Sequence, residues 1–210
     1  MKKLYLTIIT LLFTINIKAY ENNYFNIDIP NNFIQNEIKE PVYEWTNKNN
    51  QNETIVITIA KNENIININN YTDTHLNEYE EYIKKQLNEQ LNNYNVNIEV
   101  NNLKKEKIND LYCINYDVYW NTKDQIEYNI YQKAYVFTVN DLAYVYNFTS
   151  DKELNENKDL INSLNSFKPK KITSPNNLRI KLIIIIGSSA AVIGTIIKFI
   201  LKKKRHKSNN

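Results

Sequence analysis

"LYCINYDVYWNTKDQIEYNIYQKAYVFTVNDLAYVYNFT", from Leu111 to Thr149, reads as three strands of an antiparallel meander. β-Branched and aromatic residues fill "LYCINYDVYW", "IEYNIYQKAYVFTV" and "LAYVYNFT". "NTKD" (Asn121 to Asp124) and Asn140-Asp141 supply the turns between them. Side-chain alternation splits the first strand into two faces. Tyr112, Ile114, Tyr116, Val118 and Trp120 share one; Leu111, Cys113, Asn115, Asp117 and Tyr119 share the other.

Upstream, "YFNIDIP" (Tyr24 to Pro30) alternates Phe25, Ile27 and Ile29 with polar residues, a half-buried strand stopped by proline. "VYEW" and "ETIVITIA" follow as two more strands, the second β-branched on both faces and therefore central. A polar connection, 61–70, leads to "YTDTHLNEYEEYIKKQLNEQLNNY". There Leu76, Tyr79, Ile83, Leu87 and Leu91 fall at helical spacing, with Asp73 or Thr74 expected as the cap. Val96, Ile98 and Val100 then alternate as an edge-like strand. After the meander, Ser150 and Glu153 form a capping box opening a last helix, with Leu154, Ile161, Leu164 and Phe167 as its apolar stripe. The expected fold is α+β: an antiparallel β-sheet with packed helices.

In order, "FNIDIP", a mid-chain helix, a tyrosine-rich sheet and the close "YVYNFTS…LINSLNSFK" resemble the PsbP-like fold, that of the photosystem II extrinsic protein and its bacterial lipoprotein relatives. The resemblance covers about residues 24–168. It implies an α/β/α sandwich around an antiparallel sheet and an accessory or binding role, and it carries over no catalytic residues. Where relatives often follow the opening proline with Gly-Trp, Pro30 is followed here by Asn31, Asn32 and Phe33.

The chain ends point to a membrane. Residues 182–201 are apolar or small except Lys198, and such a helix spans about 30 Å, the thickness of a hydrocarbon core. Lys202, Lys203, Lys204 and Arg205 follow at once and set the tail, 202–210, on the cytoplasmic side. At the other end, Lys2 and Lys3 precede an apolar stretch that closes at Ile17-Lys18-Ala19, so residues 1–19 read as an export signal, cut before Tyr20 or retained as an anchor. The expected organisation is therefore a signal peptide (1–19), an extracytoplasmic domain (20–168), a linker (169–181), a transmembrane helix (182–201) and a basic tail. The formal charge is +3 overall, yet between Tyr20 and Leu178 stand 23 acidic and 15 basic residues, a net −8. Such a domain does not suit nucleic acid. The bilayer itself, another membrane or secreted protein, or a second copy are the expected partners.

Both glycines of the chain, Gly187 and Gly194, lie inside the apolar segment. With Ala191 they form a small-residue face at helical spacing, either a helix-association surface supporting a homodimer or ordinary tolerance of glycine in lipid. Elsewhere, turns fall to Asn and Asp, the residues that best tolerate left-handed backbone after glycine. Phosphate-cradling loops and the hydrolase nucleophile elbow are excluded on the same ground. His75 is the one histidine ahead of the tail and Cys113 the one cysteine. Neither a histidine-based catalytic site nor a zinc site is supplied, and no metal or cofactor is expected. Cys113 is either a small buried side chain or a free external thiol.

Eight of the sixteen tyrosines lie between Tyr112 and Tyr146. Tyrosine suits either a half-buried sheet or a groove for a peptide, glycan or protein. On the second reading Tyr119, Tyr128, Tyr144 and Tyr146 are the candidate contacts. The expected function is a membrane-anchored, non-enzymatic binding or accessory domain. The alternative is an extracytoplasmic hydrolase or lyase using carboxylates on the sheet face.

Overall fold

The computed structural model describes residues 17–38, 40–61, 67–92, 96–122, 129–154 and 157–172. Ten strands and two α-helices follow one another in these segments, with a short 3-10 helix (Ile68–Asn70) ahead of the first α-helix. They are β1 (Ile17–Glu21), β2 (Phe25–Pro30), β3 (Phe33–Gln35), β4 (Val42–Asn47), β5 (Thr54–Lys61), α1 (Asp73–Leu91), β6 (Val96–Ile108), β7 (Leu111–Thr122), β8 (Asn129–Val139), β9 (Leu142–Ser150), α2 (Lys158–Ser166) and β10 (Lys168–Pro169). Seven strands form one antiparallel sheet in the order β3-β4-β5-β9-β8-β7-β6. A small sheet, β1-β2-β10, is separate. The fold is α+β, as its sequence pattern implies.

The central meander forms as its alternation predicts, and β5 lies between β4 and β9 with seven of its eight residues buried. Each face of the large sheet is covered. Ile83, Leu87 and Leu91 of α1 pack with Val100, Ile114, Tyr116, Val118 and Trp120. On the opposite face Phe25, Ile27 and Ile29 of β2, with Leu160 and Leu164 of α2, pack against Ile55, Ile57, Phe137, Tyr144 and Phe148. Hydrophobic burial on both faces fixes the register, since a one-residue slip would reverse every side chain. No glycine is needed where the backbone turns left-handed: Asn109, Asp110 and Asn140 take positive φ at turns, and Asn102 does so inside β6.

Several local expectations are corrected. Thr72, not Asp73 or Thr74, caps α1, and His75 completes the box by accepting from the Thr72 backbone N–H through Nδ1 at 3.2 Å. That gives His75 an exposed structural role. Thr72→Ala is expected to cost about 1 kcal/mol in urea unfolding, with the transition otherwise unchanged. The Ser150–Glu153 capping box does not open the last helix, because Ser150 is still paired with Tyr131 at the end of β9. Asn157 caps instead, its Oδ1 accepting from the Leu160 N–H at 3.0 Å. The later start rotates the stripe to Leu160, Ser163 and Leu164 and leaves Ile161 46 % exposed. The edge strand runs far beyond Val100, to Ile108, with a register shift between Asn101 and Lys104.

β2 carries the two ends of the described chain. Ile17 of β1 pairs with Pro30 at one end of it, and Pro169 of β10 pairs with Phe25 at the other. β1 begins inside the segment read as an export signal and crosses the cut expected after Ala19. Residues 1–16 and the segment 182–201 lie outside the described residues. Among the described residues no helix is long and apolar enough to cross a membrane.

Candidate binding cleft

The sheet face that α2 and β2 cover is left open toward the Tyr119 end of β7. There β6, β7 and β8 and the segment after β9 frame a cleft of about 390 Å³. Its floor follows from register: Glu99 stands opposite Tyr119, Tyr119 opposite Tyr131, and Asp117 opposite Lys133. Strand alternation thus aims these side chains at one face. Glu153, beyond the end of β9, closes the rim.

The bulge in β6 shapes this site. Asn102 sits at φ 57, and its Nδ2 donates to the Asp117 carboxylate at 2.8 Å. Lys133 pairs with the same carboxylate at 3.2 Å, both side chains being about one-third exposed. A bulge beside a site commonly re-aims a side chain in this way. Tyr119 and Tyr131 lie 5.2 Å apart between ring centroids, tilted by 41°. The Tyr119 hydroxyl donates to Asn129 Oδ1 at 2.7 Å. Burial pushes the Tyr131 phenol above its ordinary range, and Tyr119 and Glu153 add to the effect. Three carboxylates, Glu99, Asp117 and Glu153, surround one lysine. The cleft is therefore acidic, amide-lined and aromatic, complementary to a cationic group carrying hydrogen-bond donors.

The sequence-derived candidates part company here. Tyr119 lines the cleft. Tyr144 and Tyr146 are both 0 % exposed and belong to the core, packed beside Phe167 at 6.1 and 6.0 Å. They lie on the same sheet face as Tyr119, but under α2 and β2, and are unavailable to a ligand. Tyr128, Gly187, Ala191, Gly194, Lys202, Lys203, Lys204 and Arg205 fall outside the described residues. Sequence alone does not single out Asp117, Tyr131, Lys133, Glu99 and Glu153. Alternation places Asp117 on the same strand face as Tyr119, and the strand registers add Glu99, Tyr131 and Lys133.

Cys113 is 0 % exposed, opposite Phe137 on β8. Burial pushes its thiol up to about 12, with Glu106 adding and Lys104 opposing. The thiolate, the reactive form, is thereby suppressed. Iodoacetamide at about pH 8 is expected to leave Cys113 unmodified in the folded protein and to alkylate it fully in urea, read by intact mass. Among the described residues no cluster of three metal-ligating side chains occurs.

No family model matches the chain. No curated protein matches it either. Among solved structures it is similar to the solution structure of cyanobacterial PsbP (CyanoP) from Synechocystis sp. PCC 6803, at TM-score 0.54 and 13% identity, over 74% of this chain and 94% of that one. A crystal structure from Bacteroides thetaiotaomicron VPI-5482 aligns at TM-score 0.47 and 13% identity, over 74% of this chain and 49% of that one. The fold is PsbP-like.

Proposed function

From the premise of a PsbP-like fold, we propose that this chain is a membrane-anchored, extracytoplasmic binding or accessory domain without catalytic activity. The acidic cleft is its contact surface. The observation that carries the reading is the arrangement of Glu99, Asp117 and Glu153 around the Tyr119–Tyr131 pair. Carboxylates and ring faces together receive a lysine or arginine side chain from a partner, an ammonium by charge and a guanidinium by charge and stacking. The apolar segment at 182–201 and its basic tail are the basis for the anchor and its orientation.

A hydrolase or lyase working through the same carboxylates is the second reading. It requires a carboxylate free to exchange a proton with substrate. Asp117, at the centre of the cleft, is engaged by both Lys133 and Asn102, which favours recognition over proton transfer.

Cross-linking of the tagged full-length protein in native membranes, followed by mass spectrometry, tests the proposal. Stoichiometric recovery of one membrane or secreted protein is expected, and Glu153→Lys should reduce that recovery at least tenfold while the melting temperature holds. Recovery of the chain alone, or recovery unchanged in Glu153→Lys, would remove the cleft from the function.

A further inference from the structure

A second cleft, of about 550 Å³, opens where β1 and β2 meet the β3–β4 edge of the large sheet. Its character is opposite to the first. Lys18 of β1 and Lys48, just beyond β4, stand at its rim, and among its described lining residues there is no carboxylate. Neither ammonium is engaged in an ion pair among the described residues. In a domain of net −8, two unpaired cations across one concavity concentrate positive potential where an anion would sit.

Gln35 gives an independent indication. It lines the same cleft, and its Nε2 is a buried donor with no acceptor. A buried donor left unsatisfied is costly, and a turn of the side chain into the cleft would present it to an anionic oxygen. The wall is aromatic: Trp45 meets Tyr20 edge-on at 5.1 Å and 78°. Ile34, 53 % exposed, extends the apolar surface. Charge, an unfilled donor and a ring wall thus converge on one volume.

We propose that this cleft binds a phosphate or carboxylate group carried on an apolar or aromatic body. Lys18 and Lys48 neutralise the anion, Gln35 donates to one of its oxygens, and Tyr20, Trp45 and Ile34 cover the attached body. The site belongs to the chain that retains β1, because a cut after Ala19 removes Lys18 and three of the five β1–β2 pairs.

The probe is phenyl phosphate, titrated into the full-length protein in detergent and read by tryptophan fluorescence. Of the two tryptophans, Trp45 lines the cleft and Trp120 is buried on the other sheet face. A saturable change is expected, weakened at least tenfold in Lys48→Gln and in Gln35→Leu at unaltered melting temperature. Inorganic phosphate should bind more weakly, and benzyl alcohol should leave the signal unchanged. The same protein reconstituted in phosphatidylcholine bilayers, with and without phosphatidylglycerol, separates the sources. A response confined to phosphatidylglycerol and lost in Lys48→Gln identifies a lipid headgroup; a response to phenyl phosphate identifies a soluble anion. Binding undiminished in both variants, or no response to either probe, overturns the proposal. Inorganic phosphate binding as tightly as phenyl phosphate overturns the role given to the ring wall.

Discussion

Between about pH 10 and pH 12 the domain is expected to unfold cooperatively, its buried tyrosines ionising together as its β-sheet circular dichroism collapses. Tyr43, Tyr116, Tyr135, Tyr144 and Tyr146 are buried, and in each the main effect is desolvation, which raises the phenol well above its ordinary value of 10.0. The folded state therefore holds these protons more tightly than the unfolded chain. Their contribution to stability is complete below about pH 10, declines as pH rises beyond it, and is lost through the folded-state values. One unit above the ordinary value, each phenol withdraws about 1.4 kcal/mol, so five withdraw about 7 kcal/mol. That is comparable with the whole stability of a typical domain, about 5–15 kcal/mol. The share of tyrosinate absorbance that belongs to the five buried phenols should appear only together with the loss of circular dichroism. Ionisation of all sixteen tyrosines with the dichroism intact would show that these phenols are in contact with water.

Phe167→Ala should be the most damaging single truncation. The ring lies at the junction of the two sheets and α2, with ring centroids of Phe25, Phe137, Tyr144 and Tyr146 between 5.4 and 6.1 Å away. Removing a buried phenyl group forfeits its transfer free energy and leaves a cavity that rigid strands cannot close, a loss of about 3–5 kcal/mol. Ile161→Ala, six residues earlier on exposed surface, should change stability by no more than about 0.5 kcal/mol. Urea denaturation of the pair checks both. Equal effects would mean that α2 presents Ile161 to the core, as its sequence stripe alone suggests.

Composition from Leu111 to Thr149 identifies the strands, and alternation divides the faces of the first of them correctly, because burial on both sides leaves one register. Asparagine at the turns was equally legible, with Asn140 in left-handed backbone between β8 and β9. The last helix starts later than its sequence suggests because Ser150-x-x-Glu153 is a local signal, and the β8–β9 ladder overrides it by pairing Ser150. The cleft was half visible. Tyr119 belongs to it, whereas Tyr144 and Tyr146 share its sheet face but lie under Phe167, a contact nothing local encodes. Glu99 and Lys133 enter only through β6 and β8 registers, and Asn102 only through a bulge. Such features arise between strands and leave no periodic trace along one of them.

β2 also determines how the domain carries load. β1 and β10 both run antiparallel to it, and the chain leaves beyond Pro30 on one side and beyond Phe25 on the other. Tension drawn through Ile17 and Pro169 therefore pulls along the strands in opposite directions, across hydrogen bonds that stand perpendicular to the pull. The five β1–β2 pairs would be sheared as a set instead of peeled singly. Load applied at these two points would meet a mechanical clamp, with the aromatic core behind Phe25 resisting the same displacement.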